Sequence, residues 1–153
     1  MNAWAAILNM IKAQGVEFIF GLGDIPLQLF TRNVPAVKSI GVRYEGSAPF
    51  MAMAYARVTG KPGVCGASAG PGTANLVPGV LEAYSGCSPI VVICQSISRK
   101  TEGMADFQEV DQLGIMRPIT KWAARVTYAE RLPWFINRAF SVAMNGQPGP
   151  VYL

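Results

Sequence analysis

Histidine does not occur in this chain. Its absence excludes, within the chain, a Ser-His-Asp triad, a Cys-His nucleophile pair and any histidine-ligated metal. Charge is scarce too: Asp, Glu, Lys and Arg make up 14% of the 153 residues, against roughly 25% in an ordinary soluble domain. A surface so poor in charge is expected to be hidden against something else. A membrane is the rival cover, but the sequence lacks a run of about 18 apolar residues, and Pro89–Cys94 is far too short to span. Burial against protein is therefore the reading preferred. The three cysteines, Cys65, Cys87 and Cys94, have no metal-ligand spacing. Cys65 and Cys94 sit in apolar strand-like runs and read as buried thiols. An odd cysteine count, with no secretory pattern over Met1–Met10, points to the cytoplasm and to an N-terminus that belongs to the fold. The net charge of +4 is mild. Its basic residues, Lys38, Arg57, Arg99 and Arg125 among them, form no stripe interleaved with aromatics, which argues against nucleic acid.

What is present alternates between two periodicities. Trp4, Ile7, Leu8 and Ile11 recur at helical spacing, and Gly15 closes that segment as a C-terminal cap. Val16–Phe20 reads as a buried strand, Gly21–Asp24 as a turn, and Pro26 as the first turn of a helix running to Arg32. Strands follow at Ser39–Val42, Gly63–Ala67 and Pro89–Cys94. Between them lie a helix from Glu45 to Thr59, with Phe50, Met51, Ala54, Tyr55 and Val58 on one side, and a helix from Gly72 to Ser85 that Pro78 should kink. Gln95–Met116 is polar and irregular with one helical turn. Ile119–Val126 is extended, Ala129–Asn145 helical, and Gly149–Leu153 starts a last strand. This order predicts one α/β domain, an open parallel sheet with helices on both faces. An ending inside an apolar strand suggests a fragment or part of a larger protein.

Ligands of such sheets bind beyond the carboxyl ends of strands. Two consecutive strand-to-helix turns open there, one presenting Glu45 and the other the run Ser68–Thr73. Glu45 reads either as a first-turn carboxylate favoured by the helix dipole or as a recessed acid that exchanges a proton with a ligand nitrogen. Gly70 and Gly72 allow close backbone approach and Pro71 stiffens the turn. A tight strand-helix connection would look the same, and neither GxGxxG nor a Walker A sequence marks a phosphate cradle. Phe107-Gln108-Glu109 lies in a loop long enough to be functional or to be ordinary surface.

Taken in order, Arg43-Tyr44-Glu45, Phe50-Met51-Ala52, Tyr55-Ala56-Arg57, Thr59–Cys65, Ser68–Gly72 with Asn75-Leu76, Ala105–Glu109, Arg117–Lys121 and Gly146–Val151 resemble the pyrimidine-binding (PYR) domain of thiamine diphosphate enzymes. The acetolactate synthase-like branch is the nearest. The resemblance covers nearly the whole chain and implies a three-layer PYR sandwich. It implies a 2-keto acid decarboxylase or carboligase in which Glu45 hydrogen-bonds N1′ of the cofactor's aminopyrimidine and promotes its imino tautomer. Gly70, Pro71, Gly72 and Asn75 would line the pyrimidine pocket. Phe107 and Gln108 would face the reacting carbon, Gln108 with a catalytic part.

Three features depart from that pattern. Tyr44 stands where relatives commonly have histidine, Gly21–Asp24 differs from the usual Gly-rich, Pro-containing turn, and Pro78 is atypical. The family's diphosphate motif, Gly-Asp-Gly followed further on by Asn, is missing, and with it the oxygen ligands that Mg²⁺ requires. The resemblance therefore implies that a PP (diphosphate-binding) domain, of the same or another chain, supplies Mg²⁺ and the diphosphate site. It implies a homo-oligomer, no metal ligand in this chain, little activity without the PP domain, and leaves open whether FAD also binds. Met51, Met53 and Tyr55 are candidates for the PP contact, with core packing as the alternative. A PYR-like domain kept for assembly or regulation, without catalysis, is the alternative function.

Overall fold

A computed structural model describes residues 3–22, 27, 30–34 and 37–153. Helix α1, Ala3–Ala13, buries Ile7, Leu8 and Ile11 along one stripe. It closes in a Schellman motif: the Gly15 N–H donates to Lys12 O and the Val16 N–H to Ile11 O. Gly15 makes this possible by taking φ +79°, a conformation without a Cβ penalty for glycine alone. Strand β1, Phe18–Gly21, follows. Gly23, Asp24 and Pro26 of the expected turn and helix lie outside the described residues, and Phe30–Asn33 is a 3-10 turn.

Next come β2, Lys38–Gly41, α2, Ser47–Thr59, and β3, Gly63–Gly66. The single helix expected from Gly72 to Ser85 is two, α3 at Pro71–Asn75 and α4 at Val77–Ser85. Pro78 has no amide hydrogen with which to continue the α3 ladder, and the Leu76 N–H turns back to Thr73 O instead. The anticipated kink is thus a one-residue interruption at Leu76, which stays right-handed helical at φ −76° and ψ −19°. Strand β4, Ile90–Val92, α5, Gln112–Met116, and a 3-10 turn at Arg117–Ile119 lead to β5, Trp122–Ala123. The extended stretch expected over Ile119–Val126 supplies only those two strand residues. A 3-10 turn at Ala129–Arg131, α6 at Leu132–Met144 and β6 at Val151–Tyr152 complete the chain.

All six strands are parallel, in the order β2-β1-β3-β4-β6-β5. Strands β3 and β4 are buried at every residue, as expected for a sheet covered on both faces. Their side chains alternate between two cores. Ile19, Val64, Val91 and Val151 join α1 and α6 on one face, while Phe20, Cys65, Val92 and Tyr152 join α2, α4 and α5 on the other. The result is an open parallel sheet between two helical layers. Among the described residues no helix is long and apolar enough to cross a membrane.

Helix α2 lies on the sheet through its small side. Ala48, Pro49, Ala52, Met53 and Ala56 are buried, whereas Phe50, Met51, Ala54 and Val58 face outward. Two glycines permit the close fit. A Cβ on Gly63 would lie 2.6 Å from the Ala52 carbonyl carbon, and one on Gly79 would lie 2.5 Å from Pro49 Cγ. Of the residues expected to touch a PP domain, Met53 is core, and Tyr55 packs against Phe18 with ring centroids 5.8 Å apart. Met51 alone is exposed.

Candidate functional site

Strand β1 is flanked by β2 on one side and β3 on the other, so the chain leaves the sheet centre in both directions. The crevice beyond the carboxyl ends of strands at such a switch is where open α/β sheets take ligands. The turn after β2 runs straight into α2, with the Ser47 N–H donating to Tyr44 O at 3.0 Å and the Ala48 N–H to Glu45 O at 2.9 Å. Glu45 is half-buried. Its Oε2 accepts a hydrogen bond from Asn75 Nδ2 at 3.1 Å, while Oε1 has no partner among the described residues. Asn75 is the last residue of α3, so this bond joins the two turns. Gly46 keeps them close, because a Cβ there would overlap the Tyr44 ring and approach Asn75 O to 3.0 Å.

The second turn is built on Gly70, at φ +60° and ψ −114°. A Cβ on Gly70 would lie 2.5 Å from Gln108 O and 3.0 Å from Gln108 Cα, so the main chain of Gln108 rests directly on this glycine. Pro71 opens α3 and is exposed, and Gly72 is buried where a Cβ would overlap Ser68 Oγ. Thr73 Oγ1 donates back to Ser68 O at 3.0 Å. Two pairs therefore meet, Glu45 with Asn75 and Gly70 with Gln108. Phe107 beside them is 83% exposed.

The segment carrying Phe107 and Gln108 is an ordered loop. Thr101 Oγ1 donates to Asp106, and Asp106 Oδ1 accepts the Phe107 N–H at 2.8 Å. These bonds, the Thr101 hydroxyl first, hold the Asp106 carboxyl below its usual range. Glu109 accepts the N–H groups of Gly103 and Asp106, and Arg125 pairs with Glu102. Ala105 and Gln108 sit at φ +57° and +66°, a left-handed region that costs a non-glycine residue roughly 1–3 kcal/mol each. Such a shape persists only where surrounding bonds impose it.

Beneath the turns lies a polar knot that no sequence motif announces. Gln112 Nε2 donates toward Thr73 Oγ1 at 2.8 Å, Gln95 O at 3.1 Å and Tyr152 OH at 2.7 Å. Burial raises the Tyr152 hydroxyl far above its ordinary value and the Cys94 thiol to about 11. A cavity of about 700 Å³ opens beside this knot, between α1, α6 and the 95–113 segment, lined by Cys94, Gln112 and Tyr152 together with Trp4, Leu132 and Ile136. Glu45, Gly70, Gly72, Asn75, Phe107 and Gln108 do not line it. Among the described residues no three His, Cys, Asp or Glu side chains converge to hold a metal ion.

A half-buried carboxylate with one oxygen anchored and the other without a partner among the described residues suits the ring nitrogen of a heteroaromatic ligand. Comparison with known proteins bears on which ligand that is. Residues 1–115 match the family described as thiamine pyrophosphate enzyme, N-terminal TPP binding domain. The whole chain is 36% identical, over 155 residues, to the probable acetolactate synthase large subunit of Methanocaldococcus jannaschii, covering 26% of that protein. It is 38% identical over 153 residues to the acetolactate synthase isozyme 2 large subunit of Escherichia coli, with 99% of the chain and 28% of that protein covered. Over 146 residues it is 41% identical to the mitochondrial acetolactate synthase catalytic subunit of Aspergillus candidus, 94% of the chain against 21% of that protein. The chain thus spans about a quarter of the length of these relatives. It belongs to the thiamine pyrophosphate enzymes, as their N-terminal, pyrimidine-binding domain, homologous to acetolactate synthase large subunits.

Proposed function

We propose that this chain is the pyrimidine-binding portion of a thiamine diphosphate-dependent 2-keto acid decarboxylase or carboligase, acetolactate synthase-like, in which Glu45 activates the cofactor. The observation that carries the reading is the Asn75–Glu45 hydrogen bond. It anchors one carboxylate oxygen at the joint of the two turns and leaves Oε1 free to share a proton with N1′ of an aminopyrimidine. Bound there, the cofactor would supply the carbanion-stabilising chemistry, and the protein orientation and electrostatics. Gly70, Pro71, Gly72 and Asn75 form the wall for the pyrimidine, and Gln108 and Phe107 stand on the side where a 2-keto acid would approach. The diphosphate and its Mg²⁺ are assigned to a PP domain of the same or another chain, because the described residues offer no cluster of three ligands for a cation.

Glu45→Gln in the complete assembly is the test. Gln keeps the shape and the Asn75 contact through its carbonyl oxygen but cannot take the proton. Turnover should fall by about 10²–10⁴-fold, the usual share of a positioned acid-base group, while circular dichroism and thiamine diphosphate affinity stay unchanged. Full activity in that variant would refute the role. A wild-type assembly that binds no thiamine diphosphate with Mg²⁺, as read by calorimetry with and without the PP domain, would leave a domain serving assembly or regulation.

A further inference from the structure

The loop from Gly103 to Glu109 meets the candidate site at Gln108, whose main chain rests on Gly70. Nothing in its local sequence preference holds it there. Ala105 and Gln108 both adopt positive φ, which L-residues avoid when released. Asp106 offsets part of this through Thr101 and the Phe107 N–H, and Glu109 ties the two ends together: one carboxylate accepts the Gly103 N–H on Oε1 and the Asp106 N–H on Oε2, at 2.5 and 3.0 Å. It draws the start and middle of the loop against its end. Charge-assisted bonds to two main-chain donors are strong and directional, and both donors lie on the segment that must curl for Gln108 to reach Gly70. Asp111 then caps α5 by accepting the Gly114 N–H, so the far side of the loop is fixed to a helix.

We propose that Glu109 is a positioning residue for the acceptor side of the site, locking this loop so that Phe107 and Gln108 keep a fixed place relative to the glycine turn and Glu45. The inference rests on the proposed function and deepens it. Glu109 acts through the loop and touches neither cofactor nor substrate. Losing it should therefore disturb the 2-keto acid and spare the pyrimidine.

The test uses Glu109→Ala and Glu109→Gln in the complete assembly. Hydrogen exchange should show the Gly103 and Asp106 amides losing protection in Glu109→Ala, with one of the two recovering in Glu109→Gln, whose amide keeps a single acceptor oxygen. The KM for the 2-keto acid should rise about tenfold in Glu109→Ala, short of the roughly 10²-fold cost of a full 1 Å misplacement, and less in Glu109→Gln. The thiamine diphosphate concentration giving half-maximal activation should move less than twofold. Unchanged amide protection, an unchanged KM, or equal losses in substrate and cofactor binding would each overturn the proposal. Should Glu109→Ala fail to assemble, Glu109→Gln decides alone by the same readings. Activity loss in Glu45→Gln with a wild-type KM in Glu109→Ala would sink this inference and leave the function standing. Full activity in Glu45→Gln would sink the function, whatever the amides report.

Discussion

In the polar knot the Cys94 thiol is kept protonated by burial, which outweighs its polar contacts with Thr73, Ala67 and Tyr152 and pushes its pKa to about 11. Its ordinary value is 9.0, so the neutral thiol stabilises the fold fully below pH 9. That contribution is lost as pH rises through about 11. Cys65, raised by burial in the same core layer, adds to the same trend. Urea midpoints should therefore drop between pH 9 and pH 11, and Cys94→Ser should make the drop shallower. Cys94, expected to be a buried thiol, is only partly buried, as Cys87 is. At pH 8 Ellman's reagent should modify Cys94 more slowly than Cys87, because thiolate is the reactive form and the Cys94 thiol is raised to about 11. A Cys94 that reacts as fast as Cys87, or a pH slope unaltered by the serine, would contradict this account.

At the scale of the element, strand and helix order was legible in the sequence because buried parallel strands read as short apolar runs and α1 carries its stripe and Gly15 cap. The orientation of α2 was not legible. Phe50, Met51, Ala54, Tyr55 and Val58 share a side in the sequence pattern, yet only Tyr55 of them packs on the sheet, beside the alanines of the opposite side. The reason is space: with Gly63 and Gly79 beneath it, α2 sits too near β3 and α4 for large side chains. Asn75 was expected in the pocket only through the resemblance, and its bond to Glu45 was not legible, since it depends on where α3 stops, and so on the interruption at Leu76. Gly79→Ala tests the close approach. Ala gains about 1 kcal/mol in helix propensity, but a Cβ held 2.5 Å from Pro49 Cγ and 3.2 Å from Phe50 Cδ2 overpacks a site for which the usual penalty is about 1–3 kcal/mol. Overpacking should win, lowering Tm by a few degrees at about 2–4 °C per kcal/mol. A raised Tm would mean that the two helices separate freely.

Across the whole molecule, the shortage of charge and the outward apolar side chains belong to one feature. Val58 on α2 is 86% exposed and Leu81 on the adjoining α4 is 46% exposed, with Phe50, Tyr44 and Tyr84 also uncovered. Scattered apolar residues are normal on any surface, but neighbouring helices that both carry them form the kind of patch that marks an interaction face. The relatives are about four times as long as this chain, and a PP domain is the partner that the proposed function requires. Val58→Glu combined with Leu81→Glu should leave the circular dichroism and Tm of the domain unchanged, because neither side chain is buried. In the complete protein the pair should weaken association at least tenfold, about the scale of a well-packed interface side chain. Sedimentation velocity across a concentration series would show the dissociation, and thiamine diphosphate affinity should fall with it because half of the site leaves with the partner. Association and cofactor affinity both matching wild type would mean that this face looks onto water, and that the PP domain docks elsewhere.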